Sequence, residues 1–153
     1  SALTPHTAPI VIQSIDGISL QAATCCHPVP GDRIIGQMRG GHGLSIHRMD
    51  CETARKQISR DAERWIDVEW DEEVSGMFRT LIEITADDER GILGRIASEI
   101  TASNADILQV AMDTESEQVA IIRFTLQVQD RDHLAEVFRR LRKLPQTRTI
   151  TRA

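Results

Sequence analysis

The chain has 153 residues, 41% of them hydrophobic, and a formal net charge of −5. This length suits one domain or two small ones. The sequence has no run approaching the roughly 18 consecutive apolar residues of a membrane span and opens with no basic-then-apolar leader, so it predicts a soluble protein. Three cysteines, two of them adjacent, favour a reducing compartment over a disulfide framework. The first residue is Ser1 rather than Met, which indicates a piece of a longer chain.

Opposite charges are segregated along the chain. Residues 27–60 carry six Arg or Lys against three Asp or Glu, whereas residues 61–90 carry eleven acidic residues against three arginines. An acidic chain argues against a general nucleic-acid binder, because such affinity comes mostly from neutralising phosphates. The basic segment is still compatible with docking on structured RNA. The alternative is that both segments are ordinary solvated faces.

The N-terminal half alternates short strand patterns with turn residues. Two apolar segments flank Asp16 and Gly17, a dipeptide typical of a type I′ turn, so we predict an N-terminal hairpin. Residues 25–32 hold two prolines and a glycine within four positions, which predicts a rigid loop. The further predicted elements are strands at 34–38 and 44–46 joined by the glycine turn 40–43, a helix beginning near Cys51, and a strand at 65–70.

The C-terminal half has the clearer periodicity. Apolar residues at a period of two predict the first strand at 78–86, and helical spacing follows to about Ser103. Strands at 107–112 and 121–128, a helix capped by Asp130 and a short edge strand complete the half. The order β-α-β-β-α-β is the ferredoxin-like arrangement, with both helices on one sheet face. We expect the other face, with Leu81, Val110 and Met112 or their alternates, to be an interface.

These patterns predict the α+β class, with a small α/β domain followed by a ferredoxin-like βαββαβ domain. The acidic segment after Trp70 ends in Ser-Gly, which predicts a linker. The predicted boundaries are therefore 1–72 for the first domain, 73–77 for the linker and 78–153 for the second domain.

Cys25, Cys26, His47 and Cys51 have the composition of a structural zinc site. His47 and Cys51 are four apart, so if they open a helix, both side chains lie on one face of it. Reduced thiols packed in a small core are one alternative. Another is a thiol enzyme, with Cys25 or Cys26 as nucleophile, His47 as base and Asp50 as its orienting group.

Two loops with glycine are weaker candidate sites. The glycine turn at 40–43 could cradle a phosphate, but it lacks the lysine of a phosphate-binding loop and fits a hairpin turn equally well. The segment 88–91 leads into a helix N-terminus whose amides could receive a carboxylate, with Gly91 allowing close approach. Asn104 could add a side-chain amide, and the alternative is a turn that binds nothing.

Two motifs resemble a known family. Residues 25–32, CCHPVPGD, followed by residues 43–51, GLSIHRMDC, resemble the zinc-finger-like ribosome-intersubunit (RIS) domain of long RelA/SpoT proteins, the bacterial enzymes that make and hydrolyse (p)ppGpp. The second half resembles the ACT domain of the same proteins, with DERGIL at residues 88–93 in the place of its strand-to-helix signature. Together the two resemblances cover about residues 18–153.

The resemblance implies a regulatory region without catalytic residues of its own. Its parent would be a cytoplasmic (p)ppGpp synthetase (GTP pyrophosphokinase), a hydrolase or both, acting in the stringent response. The resemblance also implies contacts with the ribosome and tRNA, control of the upstream catalytic domains, and a homodimer formed through the ACT domain. The alternative function is a small-molecule sensor that binds a branched-chain amino acid at a domain interface.

The resemblance also assigns residues. It implies a structural zinc on the set already described, namely Cys25, Cys26, His47 and Cys51. It implies an effector site, for an amino acid, at Asp88, Gly91, Ile92, Leu93 and Asn104. The basic segment supplies the candidate RNA contacts, which are Arg33, Arg39, Arg48 and Arg55. Glu89 stands where an arginine is common in the family, which makes the loop less favourable for a carboxylate ligand.

Overall fold

The computed structural model describes residues 8–41, 43–114 and 116–153. They form two compact units. The first unit comprises the described residues up to Pro28 together with Asp32–Ser75, and the second comprises Val29–Gly31 with Gly76–Ala153. Helices and strands are mixed in both units, which confirms the α+β class. In the described part of the chain, no helix has the length and apolar character needed to cross a membrane.

The elements follow the sequence pattern closely in the second unit and less closely in the first. The strands and helices of the first unit are β1 Ile10–Ile12, β2 Leu20–Ala22, β3 Ile34–Met38, β4 Leu44–Arg48, α1 Glu52–Arg60, the short 3-10 helix Ala62–Arg64 and β5 Trp65–Trp70. Those of the second unit are β6 Phe78–Asp87, α2 Ile92–Ala102, β7 Asp106–Thr114, β8 Val119–Val128, α3 Arg131–Arg142 and β9 Thr147–Arg152.

The first unit is a five-stranded sheet in the order β1-β5-β3-β4-β2. The central strands β5, β3 and β4 are antiparallel neighbours, whereas β1 runs parallel to β5 and β2 runs parallel to β4. The predicted hairpin of β1 and β2 is therefore wrong, because these two strands form opposite edges of the sheet.

The turn around Asp16 explains the difference. A type I′ turn needs positive φ at both central residues, but only Gly17 of the pair has it, at +77°. The Asp16 carboxylate instead accepts backbone N–H groups of Ile18 and Ser19, both at 2.8 Å, and so closes a local side-chain turn. Leu44 N–H then donates to Ser19 O at 2.8 Å, which starts the pairing of β2 with β4.

Gly43 permits this close approach of the two strands. It has a φ of +81°, and a Cβ atom there would lie 2.1 Å from Ser19 O, so a larger residue does not fit. The turn before it joins β3 to β4 as predicted, with Arg39 N–H donating to Gly43 O at 3.0 Å. His42, within the predicted glycine turn, lies outside the described residues.

Two small hydrophobic clusters build the first unit. One contains Ile12, Ile34, Ile46 and Val68. The other contains Ala23, Cys26, Cys51, Ala54 and Trp65. The second cluster includes Ala54, the buried residue of α1, so the helix packs over two of the three cysteines.

His47 lies in a strand, so His47 and Cys51 do not share a helix face. Pairing of Ile35 with His47 and of Ile34 with Arg48 extends β4 two residues beyond the predicted end. The helix begins near Cys51 as predicted, with Cys51 as the residue that precedes its first turn. Periodicity within residues 44–51 did not reveal this, because the extension depends on the partner strand β3.

The second unit has the predicted βαββαβ order. Its sheet has the strand order β7-β8-β6-β9, and each strand runs antiparallel to its neighbours. Apolar residues of both helices pack with the sheet in one core. The fully buried Phe124 and Leu141 belong to this core, and Asp130 caps α3 by accepting the His133 N–H at 2.7 Å. Val29 is part of the same core.

On the open sheet face lie the alternates of Val110 and Met112, rather than Val110 and Met112 themselves. Val110 and Met112 pair with Phe124 and Ile122, and directly opposed side chains share a face. An irregularity between Ile107 and Gln109 shifts the register by one residue and so reverses the alternation that the sequence suggests. Val110 and Met112 are therefore on the helix side of an edge strand, where each stays 41% exposed.

The open face of the sheet carries an ion-pair cluster. The Arg123 guanidinium lies 2.9 Å from the Glu83 carboxylate through Nε and 2.8 Å from the Asp113 carboxylate through Nη1. Leu81 lies on this face, opposite Thr125, as the sequence predicted. The face is thus more polar than expected.

Candidate metal centre

Three segments of the first unit bring four potential ligands together. Parallel pairing of β2 with β4 places the loop after β2, with Cys25 and Cys26, next to the end of β4, where His47 lies. The chain then turns and begins α1 directly after Cys51. The predicted zinc ligands are therefore neighbours, although their spacing in the sequence is irregular.

The four ligand atoms lie within 4.8 Å of one another. Cys25 Sγ is 3.5 Å from Cys51 Sγ and 3.4 Å from His47 Nδ1. Cys26 Sγ is 3.9 Å from both Cys25 Sγ and His47 Nδ1. The adjacent cysteines converge because the backbone turns there, with the N–H groups of Cys26 and His27 both directed at Ala23 O.

These distances fit a tetrahedral zinc ion. Zinc–sulfur bonds of about 2.3 Å give sulfur–sulfur edges of roughly 3.8 Å in a regular tetrahedron. Three of the four ligand residues are buried, as in a structural site, and Cys25 is the exposed one. Three thiolates and one imidazole are also a common zinc donor set. The residues present therefore fit the ion that the family resemblance implies.

The surroundings of the ligands set their protonation. Burial raises the pKa of the Cys25 and Cys26 thiols, so a nearby positive charge is needed to hold both as thiolates. Burial lowers the pKa of His47, which keeps the imidazole neutral and its ligand nitrogen available. Burial also opposes a charged Cys51, but hydrogen bonds led by that from the Ala54 N–H lower its pKa. The start of α1 thus stabilises one thiolate.

Two further residues complete the environment of His47. Ser45 Oγ lies 3.4 Å from His47 Nε2, on the side of the ring away from the sulfur atoms. The Trp65 ring packs against the imidazole, with centroids 5.1 Å apart and planes tilted by 59°. Sequence reasoning missed both residues, because the pattern of residues 44–51 does not show that the strand of Ser45 continues to His47.

A cleft of about 380 Å³ opens beside the cluster. Cys25 and His47 form part of its wall, and most of the other lining residues are polar. The other lining residues are Gln21, Ala22, Ala23, Thr24, Gln37, Arg39, Ser45, Thr53 and Gln57. The cluster is therefore reached from solvent at Cys25.

The geometry does not form the triad of a thiol enzyme. Asp50 Oδ1 pairs with Arg48 Nε at 3.2 Å, and the Asp50 side chain is 70% exposed. The nitrogen of His47 that faces away from the cysteines meets Ser45 instead of Asp50. Asp50 therefore does not make the orienting contact that this alternative requires.

The four candidate RNA-binding arginines differ in accessibility. Arg33, Arg39 and Arg55 are exposed. The Arg48 side chain is only 13% exposed and pairs with Asp50, while its backbone N–H donates to Cys26 Sγ at 3.3 Å. Arg48 therefore belongs to the surroundings of the cysteine cluster, and the other three arginines offer charge to a partner.

The candidate effector residues lie at both ends of α2. Gly91 immediately precedes the helix with a φ of +81°, and Asp88 and Leu93 are exposed beside it. Ile92 is buried in the core. Asn104 follows the other end of this 11-residue helix, with a φ of +64°, so about 16 Å of helix separates it from Gly91.

Glu89 occupies the loop at the start of α2. Its carboxylate lies 3.4 Å from Arg95 Nη2 and accepts a hydrogen bond from Gln146 Nε2 at 3.1 Å. An anionic ligand at this helix N-terminus would meet that carboxylate. Effector binding at Asp88, Gly91, Ile92, Leu93 and Asn104 stays a prediction.

Comparisons with known proteins agree with the two units. The model of the RelA/SpoT RIS domain matches residues 10–71, and an ACT domain model matches residues 75–152. A "GTP pyrophosphokinase" of Streptomyces coelicolor is 35% identical over 133 residues, which are 87% of this chain and 16% of the relative. The "Bifunctional (p)ppGpp synthase/hydrolase RelA" of Mycobacterium tuberculosis is 33% identical over 92% of this chain and 20% of its own length.

The chain thus spans a fifth or less of these two relatives. Among solved structures, the ACT domain from the GTP pyrophosphokinase of Chlorobium tepidum matches with a TM-score of 0.46 and 20% identity. That match covers 51% of this chain and 100% of the solved domain.

Proposed function

Because the chain belongs to the ACT domain family and carries a RelA/SpoT RIS domain ahead of its ACT domain, we propose that it is the non-catalytic regulatory region of a (p)ppGpp synthetase or hydrolase. In this proposal it acts in the cytoplasm during the stringent response, contacts the ribosome and tRNA, and controls catalytic domains of its parent chain. The succession of these two domain matches, at residues 10–71 and 75–152, is the observation that carries the proposal.

The cysteine cluster has a structural role in this proposal. A zinc ion would be held by Cys25, Cys26, His47 and Cys51. When bound, it would crosslink the chain segments that carry these ligands. The crosslinked segments are the loop after β2, the end of β4 and the start of α1. These segments line the cleft and carry basic residues of the segment 27–60. A bound metal would therefore hold those basic residues in defined positions.

Exposed arginines of the first unit are the proposed RNA contacts. Arg39 lies in the wall of the cleft, and its Nη1 donates to Gln21 Oε1 at 2.6 Å, which orients the guanidinium. Arg55 Nε donates to Met49 O at 3.3 Å and leaves the rest of its guanidinium exposed. Guanidinium groups suit phosphate because they bind it with two parallel hydrogen bonds.

The experiment measures binding of the chain to purified ribosomes carrying uncharged tRNA, over a range of salt concentrations. Arg39→Glu and Arg55→Glu should each weaken binding and reduce the logarithmic salt slope by about one or more, because a phosphate contact is lost. Arg64→Glu is the matched control, since Arg64 is exposed in the same unit but lies in the acidic part of the sequence. Equal binding by all four proteins would contradict the proposed RNA contacts.

A small-molecule sensor is the second candidate function. The observation that favours it is the entrance of α2, where Gly91 is exposed and a Cβ there would meet none of the described residues within 4 Å. Calorimetry with leucine, isoleucine and valine tests it. If an amino acid binds there through its carboxylate, Glu89→Gln should tighten binding by removing the opposing charge. No heat with any of the three amino acids would contradict this function and leave the RNA proposal unaffected.

A further inference from the structure

We infer that Ser45 is a positioning residue for the metal centre, holding His47 in the tautomer and orientation in which Nδ1 faces the three sulfur atoms. The inference rests on the proposed zinc site and goes beyond it, because Ser45 is outside the ligand set. In this inference, the contact between Ser45 and His47 orients one ligand of the site before the ion binds.

Strand geometry brings the two side chains together. Ser45 and His47 are two residues apart on β4, so they project from the same face of the sheet. Both are buried, with exposed fractions of 8% for Ser45 and 4% for His47. Nδ1 of the ring points at Cys25 Sγ, 3.4 Å away, and Nε2 points at Ser45 Oγ, also 3.4 Å away.

The protonation of the imidazole ring explains why Nε2 of His47 needs a hydrogen-bond acceptor. A neutral ring carries one N–H, and the nitrogen that binds a metal must be without its proton. With Nδ1 directed at the cluster, the proton belongs on Nε2, where it needs an acceptor. A buried N–H without an acceptor costs about 1–3 kcal/mol. Ser45 Oγ is the acceptor that the structure places beside Nε2.

The neighbours of Ser45 are committed to other contacts. Gln21 and Gln37 flank Ser45 in the sheet, as its register partners on β2 and β3. Gln37 Nε2 donates to Gln57 Oε1 at 3.1 Å, and Gln21 Oε1 accepts from Arg39. In the described part of the chain neither amide hydrogen-bonds His47, so the removal of Ser45 leaves its role unfilled.

The second constraint on the ring is steric. The Trp65 indole packs against the imidazole at a centroid distance of 5.1 Å. Because the His47 ring packs against Trp65 and is hydrogen-bonded to Ser45, it has little freedom to rotate so that Nε2 takes the place of Nδ1. Partners of this kind, one bond beyond the ligands, typically change metal affinity 10- to 100-fold when they are removed.

The test uses the 153-residue chain with Ser45→Ala, Ser45→Thr and Ser45→Val. Zinc affinity is measured by competition with a chromophoric chelator. We expect Ala and Val to weaken zinc binding by about 10- to 100-fold and Thr to stay within a few-fold of the unchanged chain. Thr and Val are the matched pair, because they have nearly the same shape and only Thr keeps the hydroxyl.

A second readout separates positioning from general loss of structure. Cobalt(II) replaces zinc in each variant, and its visible spectrum reports the ligand set. In the Ser45→Val chain we expect the thiolate-to-cobalt absorption of three sulfur ligands at saturating metal, together with the weakened affinity. Nitrogen NMR of the zinc-loaded chain should place the His47 proton on Nε2.

Four results would contradict the inference that Ser45 positions His47. Equal zinc affinity in the Thr and Val variants, or a proton found on Nδ1 of His47, would overturn the inference while the metal centre stands. Failure of the unchanged chain to bind zinc or cobalt would overturn the metal centre and the inference together. A Ser45→Val chain that also loses the cobalt–thiolate absorption at saturation would show a collapsed site, and that result too counts against a positioning role.

Discussion

Cys25 Sγ lies 3.5 Å from Cys51 Sγ, although the two residues are 26 positions apart in the chain. The contact closes a segment that contains β3 and β4, and it joins the loop after β2 to the start of α1. A link over such a distance removes more freedom from the unfolded chain than a local contact does. A metal bound by the cluster would therefore stabilise the first unit more than one held by residues adjacent in the sequence.

The first prediction concerns removal of the metal. Cys51→Ala should unfold the first unit and spare the second, because zinc binding energy is folding energy in a domain this small. Without metal, the same change removes one small buried side chain and costs only about 1–3 kcal/mol. Thermal melting with and without a chelator, together with elemental analysis, distinguishes the two cases. Thr24→Ala serves as the control, since it alters an exposed neighbour of Cys25 and none of the ligands.

A melting curve unmoved by chelator, with no zinc by elemental analysis, would contradict the metal centre. The cysteines would then be a reduced core that positions Arg48 and its basic neighbours.

The second prediction concerns self-association through the second unit. β7 is an edge strand, and Leu108, Val110 and Met112 are exposed along it. Edge strands with exposed apolar side chains tend to pair with another chain. Val110→Lys should therefore weaken a dimer at least about tenfold, equivalent to roughly 1.4 kcal/mol. Analytical ultracentrifugation over a concentration series measures the effect.

Ile121→Lys is the control for this prediction. Ile121 lies opposite Asp113 in the sheet, on the face that carries the Arg123 ion pairs, so an added charge there should leave pairing of β7 intact. A strict monomer at high micromolar concentration would contradict the dimer. Weakening by Ile121→Lys alone would instead assign the interface to the open face.

The third prediction concerns the turn at Asp16 in acid. Hydrogen bonds from the Ser19 hydroxyl and from the backbone N–H groups of Leu20 and Ile18 hold the pKa of Asp16 well below its usual range. A lowered pKa in the folded state means that the turn is stabilised fully above the ordinary value of about 3.9 and loses that contribution as the pH falls further. An NMR titration of the Asp16 carboxyl and the Ser19 amide follows this loss.

Asp16→Asn keeps one acceptor oxygen and removes the charge, so the acid-dependent change in the Ser19 amide should disappear. Asp61→Asn alters an exposed aspartate of the same unit and should leave that change in place. An ordinary titration midpoint for Asp16 would refute the prediction.

The fourth prediction is that the chain alone performs no nucleotide chemistry. The sequence has no phosphate-binding lysine loop, and the two matching domains are RIS and ACT domains. Incubation with ATP and GTP should yield no (p)ppGpp, and added (p)ppGpp should remain intact, as measured by chromatography. Any turnover would contradict the prediction. If turnover persisted in a Cys25→Ala, Cys51→Ala double variant, the catalytic site would lie outside the cysteine cluster.

The sequence alone determined the architecture of the second unit and the identity of the cluster residues. Period-two alternation in β6 and β8 and helical spacing in α2 and α3 are local signals, and the structure follows them to within a few residues. The four residues of the cluster were selected by side-chain chemistry, because thiolates and imidazole are ligands that suit zinc.

The tertiary structure decided which strands pair and in which register. The pairing of β2 with β4 depends on the contact of Leu44 with Ser19, which no local pattern encodes. The one-residue shift near Gln109 moves Val110 to the other sheet face. Ser45 gained its role at His47 in the same way, through the extension of β4 by its partner strand. Long-range backbone pairing fixes these features, and side-chain periodicity reports only the local conformation.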